Sequence, residues 1–269
     1  MPTRVFGSNY KVNVLSAIKM NLEKYKYGNG FTILKELIQN ANDAAATKIV
    51  ISSFSGIPTA TNPLLKRKGI IVYNDGEFSE KDAKNIKRIG GNNKKGDSAS
   101  IGKYGFGLKS IFHLCNAFCY YGHAEKKLDC LIPFDFQDDE DISGSQGRGI
   151  GYNALAEITE EDEQALISQL EGAEKGLSMF IPIDGKNRIG NDEIDPEHPF
   201  NKGDKSNFKL KEETICALAI LSRSSRKKTL KDFYYEVNDC SFSISLEENS
   251  CILKSDGSEI EIHFATIET

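Results

Sequence analysis

Three short stretches of this chain carry side chains whose types and spacing could do chemistry together. In Leu34-Lys-Glu-Leu-Ile-Gln-Asn-Ala-Asn-Asp-Ala44, Glu36, Asn40 and Asp43 recur at helical spacing. At about 100° per residue, Asn40 lies about 40° round from Glu36 and Asp43 about 20° the other way. A carboxylate, an amide and a second carboxylate therefore share one stripe. Ile33, Leu34, Leu37, Ile38, Ala41, Ala44 and Ala45 fill the adjoining arc, while Lys35, Asn42 and Ala46 fall on the far side. The stripe borders the buried face, where a carboxylate is partly desolvated and held in one geometry. A solvated helix flank has the same pattern, and this helix alone does not separate the two.

The second stretch, Gly102-Lys-Tyr-Gly-Phe-Gly107, leads into Leu108, Lys109 and Ser110 at the start of an expected helix. Three glycines let the backbone approach a charged group closely, and a helix start presents unpaired N–H groups to an anion. The outline is a phosphate cradle. It is not a P-loop, because Leu108 puts Lys109 one position too late, and it lacks the GxGxxG order of a dinucleotide-binding turn. In the third stretch, Asn74-Asp75-Gly76 closes the apolar run Gly69-Ile-Ile-Val-Tyr73. A carboxylate there can accept a hydrogen bond from an exocyclic amine, and the glycine lets a flat base lie against the backbone. Taken singly, both stretches also read as ordinary turns.

The elements that must position these residues follow from periodicity and punctuation. Helices are expected over 10–25 and 31–46, with strands over 48–54 and 69–73. A charged helix at 80–89 precedes the polar segment 90–100, which reads as a lid or binding loop. An apolar helix at 108–115, strands at 117–123 and 127–132, an acidic loop at 135–141, a helix at 160–170 with Thr159 as N-cap, and a strand at 177–183 come next. Residues 184–207 read as a long loop or a joint. A helix at 212–222 and four β-like runs, at 233–237, 241–246, 251–254 and 259–265, complete the chain as antiparallel meanders. The expected division is a domain over 1–185 and a helix plus β-rich extension over 186–269. Ending so soon after a strand suggests a fragment of something longer.

Composition bounds the partners. The 269 residues carry 34 Lys plus Arg against 39 Asp plus Glu, a formal charge of −5, which argues against non-specific coating of nucleic acid. Only Arg223-Ser-Ser-Arg-Lys-Lys228 points the other way. Hydrophobic residues at 39% and charged residues at 27% are those of an ordinary folded domain. No apolar run approaches the ~18 residues of a membrane span, and no signal-peptide pattern opens the chain. The six cysteines form no CxxC pair and read as free thiols. His113, Cys115 and Cys119 match no standard zinc spacing. A reducing compartment is expected, the cytoplasm, with the nucleus left open.

Taken together and in order, the helix with Glu-x3-Asn-x2-Asp-Ala, the strand ending in Asp-Gly, the polar segment and the GxxGxG stretch resemble the GHKL (Bergerat-fold) ATPases. That superfamily joins gyrase, the heat-shock-90 chaperones, histidine kinases and MutL. Tyr73-Asn-Asp-Gly-Glu-Phe78 and Gly102-Lys-Tyr-Gly-Phe-Gly-Leu-Lys-Ser110 look most like its sacsin-type and MORC-type branches. The resemblance covers roughly residues 10–183. It implies an α+β, two-layer sandwich, with a mixed, mostly antiparallel sheet covered by helices on one face.

It also implies ATP and Mg²⁺ as cofactors, with Glu36 as the general base and Asn40 as the metal ligand. Asp43 and Ala44 would line the nucleotide site, and Asn74 or Asp75, with Gly76, would meet the adenine. Gly102, Lys103, Tyr104, Gly105, Phe106, Gly107 and Leu108 would wrap the phosphates, with Lys109 adding positive charge. The superfamily's Asp-x-Gly-x-Gly box departs here to Asn74 at its first place and Phe78 at its last, and a Gly-Thr pair on a later strand is replaced by Gly176-Leu177-Ser178, with Ser178 one place late. The activity so implied is slow ATP hydrolysis that drives lid closure and dimerisation, with protein partners or attached domains receiving the signal. A non-hydrolysing nucleotide switch is the alternative. Phosphotransfer to protein is disfavoured, because none of the four histidines lies in an acceptor context.

Overall fold

The computed structural model describes residues 30–86, 107–132, 158–170, 174–183, 195, 197–200, 207–224 and 229–264. The expected helix at 10–25, the polar segment 90–100, the glycines at 102 and 105, and the acidic loop at 135–141 lie outside those residues.

Runs rich in β-branched and aromatic residues form the strands β1 (Lys48–Phe54), β2 (Gly69–Asn74), β3 (Phe118–Gly122), β4 (Lys127–Leu131) and β5 (Leu177–Pro182). The tail supplies β6 (Asp232–Val237), β7 (Cys240–Leu246), β8 (Ser250–Ser255) and β9 (Ser258–His263). Among the described residues these join one mixed sheet of order β4-β3-β5-β2-β1-β6-β7-β8-β9. The tail strands are antiparallel to one another, as expected. They continue the same sheet because β6 lies parallel to β1, Ile49 opposite Phe233 and Ile51 opposite Tyr235. The β8–β9 turn is Asp256-Gly257, both with positive φ (52° and 75°), which is the geometry of a type I′ hairpin.

Directly opposed residues share a face of the sheet. One face therefore carries Ile49, Ile51, Val72, Asn74, Leu177, Met179, Phe233, Tyr235 and Phe242. The helices α1 (Gly30–Asp43) and α4 (Asn207–Ser224) cover it. Lys211 of α4 sits 6.0 Å from the centroid of the Phe242 ring, and α1 packs against α4, β1 and the 3-10 helix Gly107–His113. The opposite face carries Tyr73, Tyr121, Ser178 and Phe180. Here α3 (Glu160–Leu170) lies over β5, and its Leu170 carbonyl accepts a hydrogen bond from Ser178 Oγ at 3.2 Å. Helices thus stand on both faces instead of the one expected. Every residue of β5 is buried, and such a strand needs cover on both sides. The remaining helix, α2, spans Glu80–Ile86.

Two helices differ from expectation for physical reasons. The first was expected to run to Ala46 but ends at Asp43. Ala46 N–H donates to the Ala41 carbonyl and Ala45 N–H to the Asn42 carbonyl, both at 3.0 Å, and Ala45 adopts φ 57°. This is a Schellman stop built without glycine, and alanine's helix propensity gives no warning of it. Asn42, placed on the far side by periodicity, is only 2% exposed, because α1 is covered by neighbours on more than one side. The apolar helix after the glycines is wound as a 3-10 helix. All residues from Lys109 to Cys115 are buried, so no solvent-facing stripe imposes an α period.

Candidate functional site

The stripe on α1 is where the sequence put it. Glu36, Asn40 and Asp43 are half-buried at the edge of a helix whose other turns carry Ile33, Leu34, Leu37, Ile38 and Ala41 into the core. Burial pushes the Glu36 carboxyl above its ordinary value; the Lys35 ammonium opposes the shift and the Asp43 carboxylate adds to it. One turn further on, Asn40 Nδ2 is buried and has no hydrogen-bond partner. A buried amide donor left in that condition is costly, and it marks a place where an acceptor is missing.

The turn at Asn74–Gly76 is joined to the end of this helix. Glu77 N–H donates to the Ala44 carbonyl at 2.8 Å. A Cβ on Gly76 would lie 2.7 Å from Ala44 Cβ and 2.8 Å from its carbonyl oxygen, so only glycine permits the approach. Thr47 closes the joint. Its N–H and that of Lys48 donate to Asp75 Oδ1 at 2.7 and 2.8 Å, and its hydroxyl donates to Oδ2 at 2.5 Å. Burial alone would raise the Asp75 pKa, yet the bonds from Thr47 and Lys48 outweigh it and hold the carboxyl below its ordinary value. The Thr47 carbonyl in turn accepts from Lys231 and Asp232 N–H at 2.8 and 3.0 Å. Asn74 differs from its neighbour. It is buried on the α1 side of the sheet, and its Oδ1 accepts from Gly76 N–H at 3.1 Å.

Gly176, at φ 110°, presses on the same turn. A Cβ there would stand 2.1 Å from the Asn74 carbonyl oxygen. Ser178, by contrast, is not brought to the cluster. It pairs with Tyr73 and Tyr121 on the opposite face, where His123 Nε2 lies 2.8 Å from its hydroxyl. Leu177 occupies the α1-facing position beside Asn74.

Of the phosphate-cradle residues, Gly102, Lys103, Tyr104, Gly105 and Phe106 lie outside the described residues. Gly107 opens the 3-10 helix that packs on α1, which puts the end of that stretch next to the stripe. Leu108 is half-buried. Lys109 is 3% exposed and donates to the Ile86 carbonyl at the end of α2; burial lowers its pKa to about 8. Ser110 is fully buried, and its hydroxyl has no hydrogen-bond partner.

Sequence reasoning missed Thr47 and the Schellman stop, which carry no local signal because their partners lie far along the chain. Among the described residues no three His, Cys, Asp or Glu side chains converge as a metal site. An oxygen-seeking cation held mainly by phosphates and water needs only one or two protein oxygens, and Asn40 fits that need. The unpartnered Asn40 amide and the glycine-lined turn at 74–76 are both compatible with a nucleotide. None of the described helices is long and apolar enough to cross a membrane.

A family model described as "Sacsin domain" matches residues 11–128. Human Sacsin is 32% identical to this chain over 103 residues. That match takes in 36% of the chain and 2% of the human protein, so the chain spans a very small part of the curated relative it matches. The matched region contains α1, the Asn74–Gly76 turn and the glycine-rich stretch before Leu108.

Proposed function

We propose that this chain is a Mg²⁺-dependent ATP-binding and ATP-hydrolysing module of the GHKL, Bergerat-fold type. The observation that carries the reading is the pairing, one helical turn apart, of a proton-retaining Glu36 with a buried and unpartnered Asn40 amide. The end of the same helix is joined to the Asn74–Gly76 turn. The Sacsin-domain match over 11–128 supports it, since it spans all three motifs.

In this reading Asn74, and not Asp75, meets the adenine amine. The Asp75 carboxylate is committed to Thr47 and Lys48, whereas the Asn74 carbonyl oxygen, already accepting one bond, has a second lone pair. Asn40 offers Oδ1 to the cation and keeps Nδ2 as a donor. Bound Mg²⁺ would supply neutralising charge on the phosphates. Glu36 accepts a proton from the attacking water, and its raised pKa brings it closer to the working pH, where a general base is most effective. Coupling to dimerisation and to protein partners belongs to the same proposal and follows from the family resemblance.

Glu36→Gln tests it. Phosphate release should fall about 10²–10⁴-fold while Mg²⁺-ATP binding persists, and the acid limb of the unaltered protein's rate profile should lie above the ordinary glutamate range. Equal phosphate release from both proteins would remove the enzyme reading and leave a binding switch. Failure of the unaltered protein to bind ATP would remove both.

A further inference from the structure

Glu36 and Asn40 leave one buried group on the neighbouring element without an assignment. Ser110 is 1% exposed, and its hydroxyl has no hydrogen-bond partner. It lies on the 3-10 helix, which packs directly on α1, where Asn40 Nδ2 is unpartnered as well. Thr229 Oγ1, ahead of β6, is another such atom but belongs to neither element.

Packed elements that bury polar atoms normally satisfy them against each other. An amide NH₂ can only donate and a hydroxyl can donate, so what this junction lacks is an acceptor. Charged oxygens of a phosphoryl group are strong acceptors for such donors. The donor on Asn40 sits one helical turn from Glu36, the residue assigned to the attacking water, so the phosphoryl group it reaches is the one attacked.

We propose that the Ser110 hydroxyl, together with Asn40 Nδ2, is a recognition site for the terminal phosphoryl group of a nucleoside triphosphate. The assignment rests on the nucleotide reading above and adds to it a residue that separates triphosphate from diphosphate. Ser110 makes no contribution to ligand-free folding in this account, because an unpartnered buried hydroxyl gives the empty protein nothing.

The test uses Ser110→Ala, with Ser110→Cys as a variant of closer volume and weak donor strength. Binding of ATP, of a non-hydrolysable ATP analogue and of ADP is measured by calorimetry on the full chain with Mg²⁺, beside thermal unfolding without nucleotide. Both variants should bind ATP and the analogue about tenfold more weakly or worse, the loss of a hydrogen bond to a charged group. ADP affinity should be unchanged, and the ligand-free melting temperature should hold or rise. An unchanged ratio of ATP to ADP affinity overturns the proposal, as does a ligand-free melting temperature lowered in both variants, which would assign Ser110 a protein partner. If the unaltered protein binds neither nucleotide, the nucleotide reading fails first and the recognition site fails with it.

Discussion

The two faces of the central sheet bury polar groups in opposite ways. Beneath α3, His123, Ser178 and the Leu170 carbonyl close on one another, with the His123 ring edge-on to Tyr73 and Tyr121. Nearby, Asp162 accepts from Thr61 N–H, the Thr61 hydroxyl and Asn62 N–H at 2.6–3.0 Å. Beneath α1 and the 3-10 helix, Asn40 Nδ2 and Ser110 Oγ are buried with no such closure. Polarity in a core is not a sign of binding in itself, since a satisfied group contributes to the fold. An unsatisfied one is a cost that the fold alone does not repay.

That contrast can be broken most forcefully at Asp162. Asp162→Ala strands the donors of Thr61 and Asn62, and denaturant unfolding should show a loss of about 2–4 kcal/mol with nucleotide affinity unmoved. Burial alone would raise the Asp162 pKa, but the bonds from Thr61 and Asn62 prevail and hold it below the ordinary carboxylate value. A depressed folded-state pKa stabilises above the ordinary carboxylate range and ceases to do so as the pH falls through the folded value. The gap between Asp162→Ala and the unaltered protein should therefore close in acid.

Ser178→Ala is the sharper probe, because the same substitution at Ser110 is expected to cost the empty protein nothing. At Ser178 it leaves the Leu170 carbonyl and His123 Nε2 without this partner, and about 1–2 kcal/mol of stability should be lost, again with unaltered nucleotide binding. A fall in ATP affinity there would return Ser178 to the adenine and erase the distinction between the faces.

The smallest effect is expected at Ala45. With φ 57°, Ala45→Gly removes a Cβ clash that exceeds glycine's entropic cost, and thermal unfolding should report a gain of about 0.5–1 kcal/mol. A loss would mean that the helix stop is held by something other than its backbone geometry.

Much of this was legible in the sequence wherever the signal is local. The apolar runs at 48–54 and 69–73 gave β1 and β2 nearly to the residue. The 3.6-residue period placed Glu36, Asn40 and Asp43 on the border of the core, and Thr159 caps α3 through the Asp162 N–H at 3.1 Å. What escaped depends on pairing across distance. The parallel match of β6 with β1 joins residues about 180 positions apart, and no propensity encodes that. The burial of Asn42 needed knowledge of what lies on the far side of α1. The choice between Asn74 and Asp75 turned on Thr47, whose partnership with Asp75 spans 28 positions.

Thr47 has one more consequence. Through its amide and hydroxyl it holds the Asp75 turn, and through its carbonyl it holds the first residues of β6. A single peptide unit thus acts as a pivot between the turn beside α1 and the four tail strands. Any rotation of that turn is geared directly into the orientation of β6, and the tail sheet is the arm on which such a movement would be read at greatest amplitude.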